Sequence, residues 1–124
     1  MRLLLDTHVL LWWLAESPKL PKTIKARIAE AEIVYVSAAS VWEMAIKAAI
    51  GKLDAPDDLE EQLPQHRFEQ LPVSVSHALA VAKLPHHHAD PFDRMLVAQA
   101  SFESLTLVTA DPQLAVYGVP VLRA

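Results

Sequence analysis

Arg2-Leu3-Leu4-Leu5-Asp6-Thr7-His8-Val9-Leu10-Leu11-Trp12-Trp13-Leu14-Ala15 starts as an apolar run, meets a carboxylate at Asp6, and continues apolar. Residues 2–6 read as a buried strand. Val9 to Ala15 reads as a short helix, stopped by Ser17-Pro18. The same alternation repeats outward from this stretch. Lys22 to Ala31 has helical spacing, and Ile33-Val34-Tyr35-Val36 is a β-branched and aromatic strand. Ser37 is placed to cap a helix in which Ala38, Val41, Trp42, Ala45, Ile46, Ala49 and Ile50 follow the i, i+3, i+4 pattern, with Gly51 to end it. Asp57 to Leu63 is a weaker, polar helix cut by Pro64, and Phe68 to Val73 a third strand. Ser76 to Lys83 is a short helix capped by Ser74 or Ser76. Pro85 to Ala89 is loop, and Asp90-Pro91 supplies an N-cap and a first-position proline for an apolar helix. Leu105–Thr109 and Val119–Leu122 are the last strands. Strands alternating with helices predict an α/β fold: three α/β/α layers around a mostly parallel sheet with right-handed crossovers. Ligands of such sheets bind beyond the carboxyl ends of the strands.

The bulk composition narrows the classes. A chain of 124 residues is one domain's worth, and residues 1–124 are expected to form one domain, without repeats or a low-complexity linker. Folding buries roughly two-thirds of the unfolded surface at this size, so no staples are needed. There is no cysteine, hence no disulfide frame and no thiolate zinc site. No run approaches the roughly 18 apolar residues of a membrane span, and no signal-peptide cleavage pattern follows the first apolar segment. A soluble cytoplasmic protein is expected. The hydrophobic share of 52% is high, and part of it is available for a partner. A net charge of -4 gives no bulk attraction to nucleic acid, yet suits a site that holds cations.

Four acids stand where burial penalises them. Asp6 closes the first strand, and Asp111 follows Leu105-Thr106-Leu107-Val108-Thr109-Ala110. Asp93 shares a helix face with Leu96, Val97 and Ala100, and Glu43 rides at the rim of the stripe that contains Val41 and Trp42. Each has a modest structural role open to it. Asp6 and Asp111 can cap helices, Asp93 can favour a helix dipole, and Glu43 can pair with Lys47. Together they repel one another unless they converge on a cation. A carboxylate-only set selects a hard divalent ion such as Mg²⁺ or Mn²⁺. His86-His87-His88 is a poor zinc site, because adjacent residues rarely converge on one ion, and it reads as a solvated loop near substrate.

Four stretches resemble the motifs of PIN-domain proteins, in family order. They are Leu4 to Trp12, Val36 to Leu53, His88 to Ala100, and Leu107 to Asp111. Within that family they are most similar to the VapC-like toxins of type II toxin–antitoxin pairs. The resemblance implies a metal-dependent endoribonuclease whose acidic residues map onto Asp6, Glu43, Asp93 and Asp111. Thr109 falls on a supporting polar position, and Thr7 is placed to act likewise. It also implies a homodimer and an antitoxin lying along the early helices near Leu10 to Leu14. Position 8 departs from the pattern, with His8 where many members carry Asn or Ser. Phosphodiester hydrolysis needs an activated water, in-line approach and relief of charge on the leaving oxygen, and bound Mg²⁺ or Mn²⁺ supplies all three. A dehalogenase-type phosphatase needs an acid at position 8, and a receiver domain needs an Asp near Ser37; both are missing. A reading from another class is a PIN-like association module with structural acids. Lys47 and Arg94, each within a helical turn of a proposed ligand, are expected either to balance charge or to touch the phosphate or tether an acid.

Overall fold

The computed structural model describes residues 1–124. Five strands form one all-parallel sheet in the order β3-β2-β1-β4-β5: β1 Arg2–Leu5, β2 Ile33–Ser37, β3 Phe68–Leu71, β4 Thr106–Thr109 and β5 Val121–Arg123. Six α-helices connect them: α1 Thr7–Leu14, α2 Lys22–Glu30, α3 Ala38–Ala49, α4 Leu59–Gln65, α5 Val75–Ala82 and α6 Pro91–Glu103. A 3-10 helix, Pro112–Tyr117, links β4 to β5.

The pleat explains why β1 is apolar at every position but its first. Leu3 and Leu5 point to one face, where they join Val34, Val36 and Val108 with Val9, Leu10, Ile24, Ile28 and Met44 of the helices. Leu4 points to the other, among Leu107, Leu96, Val97, Ala100 and Leu114. A central strand covered on both sides has no polar face to alternate with. Leu4 is fully buried, and truncating it to Ala removes contacts on the α6 side worth roughly 2–5 kcal/mol.

The strand order places the site. β1 pairs with β2 on one side and with β4 on the other, so the chain's winding reverses between β1 and β4. The crevice for a ligand lies at the carboxyl ends of that pair. Asp6 and Asp111 follow those two strands.

Two details depart from the reading of the sequence. Pro64 does not cut α4, which starts at Leu59 and runs through the proline to Gln65. Proline in a last turn removes one intrahelical bond and leaves a carbonyl that solvent can satisfy. More consequentially, α3 is the expected helix turned the other way. Its buried residues are Ala39, Ser40, Glu43 and Met44, while Trp42, Ile46 and Ile50 are exposed. Periodicity identified the helix, but its apolar stripe faces outward.

Candidate active site

Asp6 and Asp111 are each held by the helix that begins after them. Asp6 is the N-cap of α1, its Oδ1 accepting the Val9 N–H at 2.8 Å. Its Oδ2 accepts the Thr109 hydroxyl. The Thr109 Oγ1 in turn accepts the Asp111 backbone N–H at 3.0 Å. One buried threonine therefore ties the ends of β1 and β4 together. Asp111 caps the 3-10 helix through Oδ1, which accepts from Gln113 N at 2.9 Å, and turns Oδ2 into the crevice. The capping roles open to Asp6 and Asp111 are thus real, and each engages only one of two oxygens.

Glu43 is almost wholly buried on α3. Thr7 at the start of α1 donates to its Oε1 at 2.7 Å, and Lys47 donates to its Oε2 at 2.8 Å. The Lys47 ammonium is held above its ordinary range, first by that hydrogen bond. Lys47 therefore tethers an acid. Arg94 does neither of the things expected of it. It is buried and turns away from the acids, donating to the carbonyls of Val81, Leu84 and Pro85 and to the Tyr117 hydroxyl. It braces the loop that leads into α6.

Asp90 caps α6, its Oδ1 accepting from Phe92 N at 2.8 Å and Asp93 N at 3.1 Å, with Pro91 at the first position. Asp93, the third residue of α6, projects into the crevice. Burial is the main reason its carboxyl is pushed up to about 6; Asp90 adds to this, Asp6 and Glu43 add less, and His88 opposes it. Asp6 is also raised, by burial first, and Asp111 contributes. The influences among the acids are repulsive and reflect how close the four lie at the carboxyl edge of β1 and β4.

The residue misjudged from sequence is His88. It is no solvated loop residue. Its Nε2 lies 3.0 Å from Asp111 Oδ2 and 3.5 Å from Asp93 Oδ2, with only 15% of the side chain exposed. Candidate ligand atoms of His88, Asp93 and Asp111 all lie within 4.8 Å of one another. His87 instead packs edge-on against Tyr117. The usable signal was His88's place two residues before a helix cap, which fixes a side chain close to the first turn.

Mutually repelling carboxylates, Asp6 and Glu43 buried and Asp93 and Asp111 half-buried, suit a hard divalent cation by donor chemistry. Asp93 and Asp111 offer oxygens directly, with Asp6 beside them and Glu43 held by Thr7 and Lys47. Charge reversal in Lys47→Glu is expected to remove the tether and set a second carboxylate against Glu43. Glu43 is buried, but Lys47 is 41% exposed, so solvent screens the pair and holds its worth to about 1 kcal/mol. Catalytic rate is therefore expected to fall at least tenfold more than the folding constant; equal losses in assays and melts would make Lys47 purely structural.

The fold is a parallel α/β domain with an acidic crevice at the reversal point of the sheet. A PIN-domain family description matches residues 3–119, and the chain belongs to that family. It is 35% identical over 118 residues to Ribonuclease VapC22 of Mycobacterium tuberculosis, covering 90% of this chain and 88% of that one. It is also similar to the chain in FitAcB from Neisseria gonorrhoeae, with TM-score 0.69 and 25% identity over 98% of this chain and 96% of that one. A chain of DNA-bound VapBC from Salmonella typhimurium superimposes with TM-score 0.74, 19% identity, and coverage of 99% and 98%; at that identity the likeness is one of fold. No helix is long and apolar enough to cross a membrane.

Proposed function

We propose that residues 1–124 form one PIN domain that hydrolyses RNA phosphodiester bonds as a Mg²⁺- or Mn²⁺-dependent endoribonuclease, the cytoplasmic toxin of a type II toxin–antitoxin pair. The observation that carries this reading is the gathering of Asp6, Glu43, Asp93 and Asp111 at one crevice, in a chain 35% identical to a VapC ribonuclease. The four acids hold the ion. Thr109 and Thr7 fix the orientations of Asp6 and Glu43 by donating to one oxygen of each. When bound, the ion supplies an activated water and neutralises charge on the phosphate. The side chains of this chain have three tasks: to bind, to orient, and to keep the carboxylates from swinging. No side-chain nucleophile is needed. Incubating RNA with the purified chain, with Mn²⁺ and then with excess chelator, tests the reading. Uncleaved RNA under both conditions would leave the association module standing instead.

Partners follow from exposed apolar surface. Leu10 is buried, and Leu11, Trp12, Trp13 and Leu14 are half-buried against the core, so α1 offers less free surface than its sequence suggests. A shallow cleft of about 590 Å³ does run along it, between Leu11, Trp12 and Leu14 and the segment Leu53-Asp54-Ala55-Pro56. That cleft supports an antitoxin segment lying on the early helices. The outward stripe Trp42, Ile46 and Ile50 on α3 supports a homodimer, since exposed patches of this kind mark association surfaces. The isolated chain is expected to sediment as a dimer at micromolar concentration; a monomer over a wide concentration range contradicts this.

A further inference from the structure

His88 brings a hydrogen into the space between two carboxylates. Its Nδ1 accepts the Asp90 backbone N–H at 3.0 Å. A ring nitrogen that accepts carries no hydrogen, so the neutral ring bears its hydrogen on Nε2. This tautomer is assigned from the hydrogen-bond network. Nε2 is the atom that faces Asp111 at 3.0 Å and Asp93 at 3.5 Å. A histidine that ligates a metal has the opposite arrangement, in which the far nitrogen donates to a carboxylate or carbonyl and the near nitrogen offers a lone pair. Here the far nitrogen meets a donor. His88 is therefore built to give a hydrogen bond to Asp111, with the Asp93 carboxylate alongside.

We infer that His88 is a stand-in for the cation: its Nε2–H draws Asp93 and Asp111 together when no ion is bound, and an arriving ion must displace it. The inference rests on the metal-binding reading above. Three features deliver the ring to that place. Arg94 holds the carbonyls of Leu84 and Pro85, fixing the start of the loop. His87, beside it, packs edge-on against Tyr117 and ties the middle of the loop to the rest of the chain. Asp90 fixes the end of the loop by capping α6, while its N–H orients the ring. The donor relieves repulsion between the carboxylates, and for the same reason it competes with any ion that needs their oxygens. His88 thus sets ion affinity from outside the ligand set. It is a positioning residue.

The test is a calorimetric titration of Mn²⁺, without RNA, into the full chain after chelator treatment. Wild type, His88→Ala and His88→Gln are compared. His88→Ala is expected to bind Mn²⁺ about tenfold more tightly, the scale of one lost competing hydrogen bond to a charged group. His88→Gln, which keeps a side-chain donor, is expected to lie closer to wild type. Weaker binding by His88→Ala would make the ring a ligand, and unchanged binding would make it only a loop support; either overturns the inference while leaving the metal reading intact. If wild type itself binds no Mn²⁺, both fall. Should His88→Ala not fold, long-range ¹H–¹⁵N spectra of wild type decide the matter. A hydrogen on Nε2 that persists as Mg²⁺ is added supports the inference, and a hydrogen on Nδ1 overturns it.

Discussion

Asp6→Asn is expected to lower RNA cleavage by about 10³-fold, about 4 kcal/mol of transition-state stabilisation, while the chain remains folded. Both Asp6 oxygens accept hydrogen bonds, from Val9 N–H and from the Thr109 hydroxyl. An asparagine must turn an N–H toward one of these donors. Removing the charge that burial penalises offsets that mismatch. Sequence alone predicts an unchanged or slightly more stable fold, and the hydrogen bonds limit any gain. Cleavage of a labelled RNA with Mn²⁺, read beside a thermal melt, gives both quantities. Activity within tenfold of wild type in a folded variant would exclude Asp6 from the reaction.

Without divalent ions, Asp93→Asn is expected to stabilise the chain at pH 8 by roughly 2–3 kcal/mol and to have little effect near pH 4. The folded carboxyl sits at about 6 against an ordinary 3.8, chiefly through burial. A raised carboxyl contributes stability below its ordinary value and loses it as pH rises through about 6. The wild-type penalty is therefore complete at pH 8, and Asn never incurs it. Position and face alone predict a nearly neutral change; burial beside Asp90 makes it a gain. Added Mn²⁺ should reverse the order, raising wild type and leaving Asp93→Asn behind. Asp90→Ala serves as the control. It removes the α6 cap at a cost of roughly 0.5–2 kcal/mol and should keep most of the Mn²⁺ response. Melts in which Asp90→Ala loses that response and Asp93→Asn keeps it would exchange the two assignments.

Much of this molecule was legible because its determinants are local. The apolar run before Asp6, the Asp90-Pro91 start of α6, the Ser37 cap of α3 and the left-handed Gly51 after it each act within a few residues. Alternating strands and helices then leave few topologies, and β1 and β4 could be matched to the acids that follow them. What was not legible depends on contacts distant in the chain. The α3 stripe shows which residues share a face, but only the packing of α3 against α6 and α1 decides that Glu43 and Met44 turn inward and Trp42 outward. Arg94 reads as a neighbour of Asp93, yet its planar donors are drawn to carbonyls at the end of α5 and in the loop after it. His88 reads as one of three loop histidines until the loop is folded back onto the end of β4.

The Thr109–Asp6 bond joins residues 103 positions apart. β1 is made first and lies at the middle of the sheet, but the neighbour that completes its crevice is β4. During synthesis, at about 5–20 residues per second, Asp6 and Glu43 leave the ribosome well before Thr109 and Asp111 exist. A nascent chain halted before β4 has neither the threonine bridge nor the Asp111 carboxylate. The order of the strands thus ties completion of the crevice to the synthesis of β4, a delay written into the topology itself.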